Sequence, residues 1–130
     1  PAGERRSNRG TSAREALIAW LEDHLGVLVQ IITIDPAAAK PSPGRVAIFI
    51  EPPELDYSTN WTAAPEIGWK LDIIAGTPAT QPASLDLITD AIETLADNEL
   101  NIASARPVSF TLPNGAGTLA AYEVTLNPLD

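Results

Sequence analysis

Two segments near the C-terminal end constrain the fold most. Arg106–Leu112 and Thr118–Leu126 are both rich in β-branched and aromatic residues, and only Pro113-Asn114-Gly115-Ala116-Gly117 separates them. Five residues cannot carry a crossover, so two strands joined this way must pair antiparallel. The Asn-Gly pair tolerates the positive φ that such a turn needs. Val108, Phe110 and Leu112 share one side of the first strand, and Tyr122, Val124 and Leu126 share one side of the second. A lone hairpin is marginal in water, so further strands and helices must cover it.

The rest of the chain supplies them. A helix is expected over Ala13–Leu25, with Ser12 and Glu15 as a capping box and Leu17, Trp20, Leu21 and His24 on one face. Gly26 stands where a left-handed C-terminal cap belongs. Val27–Ile34 has six Val, Ile or Leu among its eight residues and reads as a buried strand. Residues 36–44 are a loop by composition, and Arg45–Glu51 is a second strand, stopped by Pro52-Pro53. Residues 52–66 form a long irregular connection. In the third strand, Ile67–Ala75, Ile67, Trp69, Leu71 and Ile73 alternate with Gly68, Lys70, Asp72 and Ile74, as in a sheet wet on one side. A second helix over Pro82–Asp97 carries Leu85, Ile88, Ile92 and Leu95 on its apolar stripe. The order α-β-β-β-α-β-β is α+β: a mostly antiparallel sheet with two helices packed on it. Two helices cover five strands only in part, so apolar surface is left for a neighbouring copy.

Charge divides the chain. Its 130 residues carry a net charge of −9. Residues 1–14 hold Arg5, Arg6, Arg9 and Arg14 against Glu4, whereas the remainder is strongly acidic. The expected organisation is a basic, flexible arm over residues 1–11 and a single α+β domain over 12–130. The arm reads equally as a solvated tail or as a segment that docks on an acidic neighbour. The acidic body argues against a surface that grips phosphates. Residues 1–12 are polar and basic, not the apolar core of a secretion signal, and no apolar run approaches the length of a membrane span.

Little in the sequence points to chemistry. With no cysteine and one histidine, thiol nucleophiles, Cys-based metal sites and two-His motifs are excluded within one chain. His24, in the last turn of the first helix, suits the helix dipole better than general-base work. Asp86, Asp90, Glu93 and Asp97 have the spacing of a solvated helix face and lack the Gly-turn loop of a calcium site. Asn114-Gly115-Ala116-Gly117 precedes a strand and so lacks the helix N-terminus of a phosphate site. No catalytic, cofactor-binding or metal-ligating residue is expected, and the chain is not read as an enzyme. Tyr57 and Trp61, on the long loop, read equally as interface anchors or as side chains folded back onto their own subunit.

SAREALIAWLEDHL at 12–25, IGWKLDIIAG at 67–76, SLDLITDAIETLA at 84–96 and PVSFTLPNGAGTLAAYEVTLN at 107–127 together resemble the small tail terminator proteins of long-tailed bacteriophages, especially those of actinobacterial hosts. The resemblance spans residues 12–127 and rests on the order and flavour of the elements. It implies a structural virion protein: a homo-hexameric ring at the head-proximal end of the tail tube. Such a ring stops tube polymerisation and docks the tail to the head–tail connector. Its partners are the tail tube protein and the connector, and DNA passes through its lumen without specific binding. It is assembled in the host cytoplasm and resides in the tail or neck of the virion, with no cofactor and no membrane. Arg5, Arg6, Arg9, Tyr57 and Trp61 are the expected interface residues. Two other readings stand beside it: another phage neck component, such as a stopper or head-completion protein, and a small ligand-binding domain or weak hydrolase using the sheet face and the 52–66 loop.

Overall fold

A computed structural model describes residues 9–41, 44–56, 66–75, 81–112 and 117–127. The order is α1 (Arg9–Leu25), β1 (Val29–Thr33), β2 (Val46–Ile50), β3 (Glu54–Asp56), β4 (Glu66–Gly68), β5 (Lys70–Ala75), α2 (Gln81–Asp97), β6 (Ile102–Leu112) and β7 (Gly117–Leu126), with 3-10 turns at Gly26–Leu28 and Pro36–Ala38. Five strands form one sheet in the order β1-β2-β5-β7-β6, while β3 and β4 pair separately. β1 runs parallel to β2, and every other pairing is antiparallel. The expected α+β fold and the C-terminal hairpin are both present.

Sheet alternation decides what each strand offers. Val46, Ile48 and Ile50 of β2, Leu71, Ile73 and Ala75 of β5, and Val124 and Leu126 of β7 point to one face. There they bury against Leu17, Leu21 and Leu25 of α1 and Ile88, Ala91 and Leu95 of α2. Both helices lie on this face because each carries its apolar residues at three- and four-residue spacing. The opposite face holds a smaller cluster: Ile74, Phe110, Leu119 and Ala121, with Phe49 and Val108 beside them. Ala39, from the connection between β1 and β2, is fully buried in this second cluster. A parallel pair cannot be joined by a tight turn, and among the described residues this connection makes the crossover with one 3-10 turn and no α-helix. Its bend at Asp35 is held by the Asp35 carboxylate, which accepts from the Ala37 N–H at 2.9 Å.

Several expectations change. The first helix begins at Arg9, so Ser12 lies inside it and is no N-cap. No proline intervenes, and one glycine plus two hydroxyl residues cost about 1 kcal/mol or less apiece in a helix. Arg9 thus belongs to the helix and not to an arm, while Arg5 and Arg6 lie outside the described residues. Gly26 does adopt the left-handed conformation, at φ 52°. The Val27–Ile34 segment is shorter as a strand and is not buried. It forms the sheet edge, with Val27 79% and Ile34 51% exposed. Its aliphatic run resembles that of a central strand, but an edge strand has one neighbour and so less cover.

The third expected strand divides at Trp69. Its first part pairs with β3 and its second joins the main sheet between β2 and β7. Trp69 is itself buried, and its carbonyl accepts from the Leu126 N–H at 2.9 Å. The side of β5 expected to be wet is also covered, burying Asp72 and Ile74. Residues 52–66 are not wholly irregular: Glu54–Asp56 is a strand paired to Glu66–Gly68. Tyr57 and Trp61 lie outside the described residues. Among the described residues, no helix is long and apolar enough to cross a membrane.

Candidate functional site

The face opposite the helices changes character along its length. In one row across it, Phe49 of β2 stands beside Asp72 of β5, Asp72 opposite Glu123 of β7, and Glu123 opposite Arg106 of β6. Glu51 lies just past the end of β2, two residues beyond Phe49 and therefore on the same face. Its N–H donates to the Lys70 carbonyl at 3.0 Å, which continues the ladder and fixes Glu51 diagonal to Asp72. Three carboxylates from three strands thus converge. One oxygen from each of Glu51, Asp72 and Glu123 lies within 4.8 Å of the other two.

Their surroundings differ. Asp72 is 8% exposed, and its Oδ1 is enclosed with no hydrogen-bond partner. Glu123 is held from the other side by Arg106, whose Nε and terminal nitrogen each approach Glu123 Oε1 at 3.1 Å. Glu51 is half-buried and has its pKa pushed up to about 8. Burial contributes most. Hydrogen bonds to Asp72 and Glu123, which only a protonated carboxyl can donate, come next, and repulsion by the same two charges adds to them. Burial also pushes Asp72 up, opposed by the hydrogen bond from Glu51 and reinforced by the Glu123 charge. Glu123 is pulled down, first by the hydrogen bond from Glu51 and then, against some burial, by Arg106 and Lys70. The group as a whole shares protons among three acids. It can hold a proton at neutral pH or offer three hard oxygen ligands to a cation. Beside it, an open depression of about 210 Å³ is lined by residues that include Glu54, Asp56, Lys70 and Thr125, so the acidic character extends toward the β3–β4 ribbon.

Sequence reasoning missed this cluster, and a signal for it was present. Asp72 is a carboxylate inside Leu71-Asp72-Ile73-Ile74, and Glu123 stands between Tyr122 and Val124. An acid at the centre of an aliphatic strand needs a reason to be there. The residues that did attract attention lie elsewhere. Asp86, Asp90, Glu93 and Asp97 are all exposed along α2, as a solvated face. The His24 ring stacks on Trp20 at 3.9 Å, and its Nδ1 donates to the Trp20 carbonyl at 2.8 Å. Asp56 and Glu66 pair at the base of the loop that carries Tyr57 and Trp61. No protein-family model matches the chain, and no curated protein sequence is significantly similar to it.

Proposed function

We propose that this chain is a structural virion protein of a long-tailed phage: a tail terminator that closes the head-proximal end of the tail tube as a ring of six copies and docks the tail to the head–tail connector. The observation that carries the reading is the one-sidedness of the sheet. Both described helices pack on one face, while the other is covered only in part, through Ala39 and its neighbours. The sheet also ends in two edges, β1 and β6, that pair with no further strand among the described residues, and exposed Val27 and Ile34 flank β1. Unequal surfaces of this kind favour heterologous contacts, which form rings where the rotation between copies closes. The element order is the one that the terminator resemblance rests on, and an acidic body suits a lumen through which DNA moves without sticking.

Within this reading the β3–β4 ribbon carries the tube contact. Its strands flank Tyr57 and Trp61 in the sequence, and large aromatics beside such a ribbon suit anchors. Arg5, Arg6 and Arg9 bind the acidic body of the next copy or of the neck. Electron microscopy of tails assembled with and without the protein is the test. Without it, tubes run past their normal length or fail to join heads. The Tyr57→Ala and Trp61→Ala double variant reproduces that defect while remaining folded. Tails of fixed length, joined to heads in the complete absence of the protein, would instead place it among the other neck components, as a stopper or head-completion protein.

A further inference from the structure

We propose that Glu51, Asp72 and Glu123 form a binding site for a hard divalent cation of about the size of calcium, on the sheet face opposite the helices. The first observation is Asp72. At 8% exposure it is more than nine-tenths buried, and its Oδ1 has no partner at all. A buried carboxylate oxygen without a donor is costly, and unsatisfied groups of this kind are rare unless an ion or water completes them. The second observation is convergence. The three ligand oxygens lie within 4.8 Å of one another. Oxygens bound to one cation at about 2.0–2.6 Å fall within such a separation of one another.

The donor set gives the chemical class. Three carboxylates, without imidazole or thiolate, suit calcium, magnesium or manganese and not zinc or copper. Ligands fixed in place by a sheet ladder suit calcium's flexible geometry better than the near-ideal octahedron magnesium demands, with water filling the remaining positions. The frame is already built. Asp72 and Glu123 are fixed opposite each other by the β5–β7 ladder, and the N–H bond from Glu51 to Lys70 holds the third ligand in line. Both Arg106 contacts go to Glu123 Oε1, so Arg106 orients that side chain without taking Oε2. With only three protein ligands, affinity belongs to the weak range, on the order of 10⁻⁴–10⁻³ M.

The test uses the full chain, stripped with EDTA and dialysed, and needs nothing of the ring. Calcium chloride and magnesium chloride are titrated in parallel by calorimetry, and melting temperatures are recorded at each concentration. Calcium should bind once per chain and raise the melting temperature by about 3–11 °C at about 10 mM, with a smaller effect from magnesium. Asp72→Asn and Glu51→Gln should each abolish the heat of binding and the shift. Glu51→Gln separates binding from folding, because removing one of three crowded acids should leave the metal-free protein at least as stable as the parent. Three results would each overturn the site: no calcium heat up to about 10 mM, a shift retained by both variants, or an equal shift from sodium chloride at matched ionic strength. A larger response to magnesium would overturn the assignment to a calcium-sized ion.

Discussion

The two faces of the five-stranded sheet are built from the same strands and serve opposite ends. On the helix side, β2, β5 and β7 present aliphatic residues in every row, and Leu17, Leu21, Ile88 and Leu95 close over them. On the other side, the same strands begin at one end with Ile74, Leu119 and Ala121, beside Phe110 of β6, and reach Asp72, Glu123 and Glu51 at the other. The helix face therefore holds the fold together mainly through apolar burial. The second face places a buried acid where an aliphatic residue would be more stable, and places two more acids beside it. A chain that spends a central strand position on Asp72 accepts lower stability at that point, a pattern expected at functional sites.

Core truncations should break the comparison most strongly. Ile73→Ala, fully buried beneath the helices, should cost about 2–5 kcal/mol of stability. Phe110→Ala, on the edge strand β6 in the smaller cluster, should fall at the low end for a phenylalanine, at about 3 kcal/mol or less. Chemical denaturation of the two variants checks the order. Equal losses would mean that the second face is as much a core as the first.

The acidic cluster sharpens the contrast through pH. Glu51 titrates at about 8 when folded and near 4.5 when free, so between those values the folded chain keeps a proton that the unfolded chain has lost. Stability must then fall as pH rises through that window. Asp72, also pushed up, acts in the same direction. Glu123, pulled down, acts oppositely, and its contribution is lost only as pH falls through its lowered folded value. Lys70 and Arg106 are the cations that offset the cluster. In EDTA-containing buffer, the melting temperature should therefore decline from about pH 5 to about pH 8. Glu51→Gln should flatten that decline, stabilising the protein at the upper end and changing little at the lower. A decline of unchanged slope in the variant would place the pH sensitivity elsewhere.

The smallest effects belong to the solvated surfaces. Arg106 is largely exposed, so Arg106→Ala should cost no more than about 1 kcal/mol despite its two short contacts to Glu123. Glu93→Ala, on the exposed side of α2, should stay within about 0.5 kcal/mol. Thermal melts at low and high salt distinguish them, because only the Arg106 variant should lose salt sensitivity.

The local elements were legible in the sequence because their causes are local. The spacing of Leu85, Ile88, Ile92 and Leu95 makes a helix wherever it packs, and the Asn-Gly connection makes a hairpin whatever lies beside it. The alternation of Leu71 and Ile73 with Lys70 and Asp72 likewise told which residues share a side. What each side would meet was a different matter. That β1 runs parallel to β2 at the sheet edge, that the third strand divides at Trp69, and that the crossover lays Ala39 on the second face all depend on pairings between distant segments. Glu51, Asp72 and Glu123 stand far apart in sequence, and although Asp72 and Glu123 each mark an aliphatic strand with an acid, neither says what it will meet. Only the registers of β2 with β5 and of β5 with β7 bring them together. Register is set by the summed burial of whole strands against both helices, a quantity that no short window of residues contains.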